Sequence, residues 1–151
     1  MKSKKVKEDS VNLAVGFVDG LIRFVSKTDA LEVIPIAGTA LKVVKLKDSL
    51  KEQNLRRKIS IFIDTINDKS TEEERVKFSE KLKKDQDLRE NLSGILFMHI
   101  DQYNDFSKPY ILAKIFSCYI TNKIRLEEFI KFLFAVGESS SLDLENFTQY
   151  Y

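Results

Sequence analysis

The chain has 151 residues, of which 43% are apolar and 32% charged, with 5 Gly, 2 Pro and 1 Cys. That length gives one domain with room for its own apolar core, and the scarcity of Gly, Pro and Cys excludes collagen, a disulfide scaffold and long disorder and argues against a many-turned β sandwich. The formal charge of +2 hides a polarity: residues 1–60 hold 13 Lys/Arg against 7 Asp/Glu (+6), whereas residues 61–151 hold 12 against 16 (−4).

Residues 1–8 read as a frayed basic arm, 9–137 as a single helical domain, and 138–151 as a tail with a short helical turn. With Ser10 as N-cap, Val11, Ala14, Val15, Val18, Ile22 and Val25 recur at the spacing of one helical face. Leu13, Phe17, Leu21 and Phe24 form a second stripe, so this helix is expected to be central in the fold. About 15 apolar residues interrupted by Asp19 and Arg23 fall short of the roughly 20 a membrane span needs.

Pro35 and Gly38 place a break at 34–38. A basic amphipathic helix follows from about Thr39 to Gln53, bending or running on near Asn54 into Leu55, Ile59, Phe62, Ile63 and Ile66. Asn67 to Ser70 reads as a polar loop, with Ser70 or Thr71 capping the next helix through Glu73 or Glu74. Leu88, Leu92, Ile95, Leu96, His99 and Tyr103 share a face of a helix over roughly 86–103. Ser107 is expected to cap a helix with Pro109 in its first turn. Thr121-Asn122-Lys123 reads as a tight turn. The helix beyond it carries Leu126, Phe129, Ile130, Leu133 and Val136 and is expected to close at Gly137. Short connections between six or seven helices predict an all-α fold, a compact irregular or orthogonal bundle.

Few residues offer chemistry. No glycine-rich phosphate loop and no hydrolase or metalloprotease motif occurs. Cys118 and His99 form the one conceivable nucleophile–base pair, but both sit among apolar residues, where a packed thiol and a packed imidazole are the expected states. They are too few for zinc. The string from Asn122 to Phe129 imitates half of an EF-hand, with Glu128 at the bidentate position. The preceding ligand positions would be Ser117, Tyr119 and Thr121, which lack the carboxylates calcium needs. No cofactor and no metal is expected.

The stretch 42–58 holds seven Lys/Arg (Lys42, Lys45, Lys47, Lys51, Arg56, Arg57, Lys58) against Asp48 and Glu52, a net +5. Such a helix suits an acidic partner or an anionic membrane surface. Nucleic acid is disfavoured, because Arg is scarce and no aromatic side chain interleaves for stacking.

Two stretches carry a family resemblance. Ile34-Pro35-Ile36-Ala37-Gly38 leads through the basic helix to Arg57-Lys58-Ile59-Ser60-Ile61-Phe62. Ala113-Lys114-Ile115-Phe116 and Tyr119-Ile120 precede Lys123-Ile124 and Glu127-Glu128-Phe129. Over residues 34–136 the pattern resembles a loose group of small all-helical bacterial proteins of mobile and phage-defence gene neighbourhoods. Its second half resembles tellurite-resistance B-type helical domains. The resemblance implies a helical fold and a role in bacterial stress or defence, and it supplies no site residue.

The expected function is a non-enzymatic, cytoplasmic helical module working through protein contacts, its partner an acidic protein or a second copy of the chain. The expected contact face is Lys42, Lys45, Arg56, Arg57 and Lys58. Reversing Lys45, Arg57 and Lys58 to Glu is expected to keep the fold and abolish partner capture. The alternative is a membrane-active helical protein that uses the apolar 11–25 and basic 36–58 segments.

Overall fold

A computed structural model describes residues 50–150, which form an all-α bundle: α1 (Leu50–Lys69), α2 (Glu72–Lys84), α3 (Gln86–Gln102), α4 (Ser107–Ile120), α5 (Leu126–Glu138) and α6 (Ser141–Tyr150). The apolar helix expected over 11–25, the break at 34–38, and Lys42 and Lys45 lie outside the described residues.

Helix α1 runs straight through Asn54 and ends at Lys69, so the polar loop expected over 67–70 is mostly helix. Its apolar face explains this. Leu55, Ile59, Phe62 and Ile66 are all buried, and packing of that stripe outweighs the weak helix propensity of Asn67 and Asp68. The end is held by side chains. Ser70 Oγ donates back to Ile66 O at 2.6 Å, and the Arg75 guanidinium donates to the carbonyls of Asn67 and Ser70. Thr71 caps α2 through a reciprocal pair: Glu74 N donates to Thr71 Oγ1 and Thr71 N donates to Glu74 Oε2. Asp85 ends α2 and starts α3 in one residue, its carboxylate accepting from Leu88 N at 2.9 Å.

Helix α4 is the centre of the described bundle. It packs most extensively on α1, next on α5, and also touches α2 and α6. Leu112, Ala113 and Phe116 are fully buried on it. Phe116 meets Phe62 of α1 in a stacked pair (5.7 Å between centroids), Phe78 of α2 edge-on (5.6 Å) and Phe129 of α5 (5.3 Å). Tyr119 stacks on Phe129 at 5.6 Å. One aromatic column therefore ties four helices, each pair worth about 0.5–1.5 kcal/mol beyond its buried area.

Two expected helix ends shift. Ser107 is the first residue of α4 and not its cap; the Asp105 carboxylate accepts from the amides of Ser107 and Lys108 at 2.8 and 2.9 Å. Gly137 does not close α5, which continues to Glu138 with Ser139 after it, and no described glycine has positive φ. The 121–123 turn holds as read. Asn122 takes the left-handed conformation (φ 56°), Lys123 N donates to Cys118 O and Asn122 N to Tyr119 O. These two bonds satisfy the last carbonyls of α4. Ile124, half-buried against the core, and the fully buried Phe129 complete this corner.

Candidate functional site

The basic residues of α1 cannot share a face. Successive residues rotate by about 100° around a helix, so Arg56, Arg57 and Lys58 span about 200°. Lys58 follows Leu55 by three positions and precedes Phe62 by four, which places it on the buried stripe. It is 6% exposed. Its ammonium donates to Asp101 O at 2.8 Å and Tyr103 O at 2.9 Å, where it meets the negative end of α3. Burial pushes it below the usual lysine value, with Asp101 pulling the other way and Lys51 adding to the depression. Lys58 is thus a pin between α1 and the end of α3, and its place on a solvent-facing partner surface is corrected. The triple reversal that includes it would set a carboxylate against two carbonyl oxygens and damage the fold it was meant to spare.

Arg57 turns outward. Its guanidinium carbon lies 4.3 Å above the centroid of the Phe106 ring in the α3–α4 connection. It forms no ion pair with a described residue, and it is exposed. Lys51 is exposed one and a half turns earlier, while Arg56 is half-buried. A cleft of about 470 Å³ lies along this edge, lined by Lys51, Asn54, Lys58, Asp101, Tyr103, Asn104, Asp105 and Phe106. Of the apolar residues in 50–58, Leu55 packs in the core, whereas Leu50 is exposed. Among the described residues no helix is long and apolar enough to cross a membrane.

A second cleft, of about 510 Å³, lies on the other side of the 103–105 connection, between α3, α5 and the start of α6. His99 is packed, as its apolar face suggests. It is 7% exposed, with its ring edge-on to Phe134 at 5.3 Å and beside Tyr103. Burial lowers its proton affinity, which keeps the imidazole neutral. Tyr103 is 6% exposed, and burial, reinforced by Asp105, pushes its phenol up to about 12. Among the described residues His99 Nε2 and Tyr103 Oη find no hydrogen-bond partner, and both are closed off from solvent. A ligand seated in the cleft meets neither atom unless a side chain moves.

The charged groups of this second cleft hold helix ends together. Lys108 Nζ donates to Gly137 O near the end of α5 at 3.0 Å and lies 5.5 Å from the Tyr103 ring centroid. Asp105 accepts from Ser141 Oγ as well as from its two amides. Burial alone would raise that carboxyl, but the bonds from Ser141, Lys108 and Ser107 outweigh it and hold it below the usual range. Glu128 has a similar duty: it accepts from Arg125 N at 2.8 Å at the start of α5. Cys118 is half-buried in the last turn of α4, and the ring neighbours of His99 are Tyr103 and Phe134, so the structure does not bring the two into one couple. Among the described residues no group of three His, Cys, Asp or Glu side chains is arranged to hold a metal.

Comparison with protein-family models, with curated proteins and with solved structures found no match.

Proposed function

We propose that the chain is a non-enzymatic helical module that acts by protein contact, and that its partner presents a carboxylate-bearing segment to the outer edge of α1. The observation that carries this reading is Arg57, exposed, oriented over Phe106 at 4.3 Å and without a carboxylate among the described residues. A guanidinium held by a ring has already lost rotamer freedom, and its planar fork matches a carboxylate with two parallel hydrogen bonds. Lys51, on the Lys58 side of α1, adds positive charge in the cleft that Phe106 also lines, and Lys42 and Lys45 extend the basic stretch in sequence beyond the described residues. The likeness to helical proteins of bacterial defence neighbourhoods would place this contact in a stress or defence system.

The test is capture from cell lysate at low and moderate salt, quantified by mass spectrometry, with wild type beside Lys51→Glu/Arg57→Glu. Both residues are exposed, so the fold persists. The proposal expects acidic proteins to be captured, to be lost in the double variant and to weaken with salt. An unchanged set of captured proteins would overturn it. Self-capture of the chain, seen as a dimer by sedimentation, would replace the acidic partner with a second copy.

A further inference from the structure

The cleft between α3, α5 and the start of α6 is lined by two side chains that are more than nine-tenths buried, His99 and Tyr103. Among the described residues neither His99 Nε2 nor Tyr103 Oη finds a partner. Buried polar atoms are nearly always paired, because an unpaired one gives up its water bonds for no return. Gly137 keeps the space beside His99 open. A Cβ there would stand 3.4 Å from His99 Nδ1 and 3.5 Å from its Cε1, and would meet no other described residue beyond its own helix within 4 Å. Nε2 follows Cε1 in the ring, so it borders that gap. No described glycine has positive φ, so the glycine at 137 serves this space and not a special backbone conformation. Phe134, one turn earlier on α5, lies edge-on to the imidazole at 5.3 Å and is 49% exposed. Its ring can change rotamer without a backbone shift, a fast motion for an exposed side chain.

We infer that this cleft binds a small flat ring with a lactam edge, a carbonyl beside an N–H, which turns Phe134 aside and pairs with His99 Nε2 and Tyr103 Oη. The two unpaired atoms select this chemistry. Burial holds the imidazole neutral and pushes the phenol up to about 12, so both face the ligand uncharged, and a charged group seated against them would itself lose its water. A neutral imidazole nitrogen either accepts or donates, and a phenol does both. A lactam offers an acceptor and a donor side by side, so it satisfies the pair in either tautomer of His99. The two rings lie 6.1 Å apart, centroid to centroid, within reach of one small ligand. With Phe134 they supply aromatic surface for a flat ring. The rest of the lining disfavours an anion: Asp105 and Glu138 stand against Lys108, which is already committed to Gly137 O. The volume of about 510 Å³ falls inside the range of about 300–1,000 Å³ usual for small-molecule sites.

His99 is the single histidine of the chain, which makes it the reporter. The full chain, labelled with the heavy nitrogen isotope, is titrated with uracil while the Nε2 resonance is followed by NMR. Uridine is titrated in parallel, to tell a free ring from one that carries a sugar. A saturable shift is expected with at least one of the two, at a dissociation constant of about 1 mM or tighter. None is expected with the N,N′-dimethyl derivative of uracil, the same ring without N–H groups. Tyr103→Phe removes only the unpaired hydroxyl. It should melt no lower than wild type and bind the probe about tenfold more weakly, whereas a tyrosine with a merely structural role would lose stability and leave binding unchanged. No shift with either uracil or uridine would leave the pair to a buried water and overturn the inference. A shift that the dimethyl derivative matches, or that Tyr103→Phe leaves as it is, would overturn it as well.

Discussion

Replacing Lys58 with Met separates a structural lysine from a recognition lysine. The thioether keeps the length of the stem and its packing beside Leu55 and Phe62, and removes the ammonium. Lost with it are two bonds, to Asp101 O at 2.8 Å and Tyr103 O at 2.9 Å. Hydrogen bonds to a charged group contribute about 1.5–3 kcal/mol each. Partly offsetting that loss is the relief of a desolvated ammonium, the burial effect that lowers the Lys58 pKa. A net destabilisation of about 2–3 kcal/mol follows. Urea unfolding followed by helical circular dichroism should then show a midpoint lower by about 1–2 M with an unchanged slope. Arg57→Met gives the contrast. It removes an exposed stacking on Phe106 and should cost only about 0.5–1 kcal/mol. Equal, small effects from both variants would refute the assignment of Lys58 as a pin.

Further outcomes follow from single sites. Gly94 lies inside α3 with nothing within 4 Å of an added Cβ, so Gly94→Ala should stabilise by about 0.5–1 kcal/mol in the same urea assay. Asn122 holds a left-handed conformation (φ 56°); Asn122→Ala should cost about 1 kcal/mol and Asn122→Gly little, as thermal melts would show. His99 is held neutral by burial, so below its ordinary value of about 6.5 the unfolded chain binds a proton the folded chain refuses. Stability is therefore full above that value and falls as pH drops from about 6.5 towards the lowered folded value; melts at pH 7.5 and 5.5 should show this slope, and His99→Gln should flatten it. Asp105, whose folded carboxyl is held low by its bonds, adds a loss of the same sign below about pH 4, which Asp105→Asn should remove while its amide oxygen still accepts from the amides of Ser107 and Lys108.

The all-helical class was readable because apolar spacing is the strongest signal in this chain. The stripe of Leu55, Ile59, Phe62 and Ile66 and the capping pair Thr71/Glu74 both appear where the pattern puts them. Helix ends were less readable, since they depend on which of several polar residues reaches the free backbone groups. Asp105 took the cap that Ser107 was also suited to, and Gly137 stayed helical while Lys108 bonded its carbonyl. The inward turn of Lys58 was available in the sequence: counting charge along 42–58 ignores the helical period, whereas spacing from Leu55 and Phe62 places that lysine on the core side. The Arg57–Phe106 stack was not available, because it joins α1 to a connection 49 positions away in sequence.

The division of the α1 cations into one inward pin and an outward recognition edge is tested most directly by partner capture alongside thermal melts for Lys51→Glu/Arg57→Glu and for Lys58→Met. The account predicts that the double reversal melts within about 2 °C of wild type and loses its acidic partners. It predicts that Lys58→Met melts well below wild type yet, at a temperature where it is folded, keeps those partners. Capture retained by the double reversal and lost by folded Lys58→Met would contradict it.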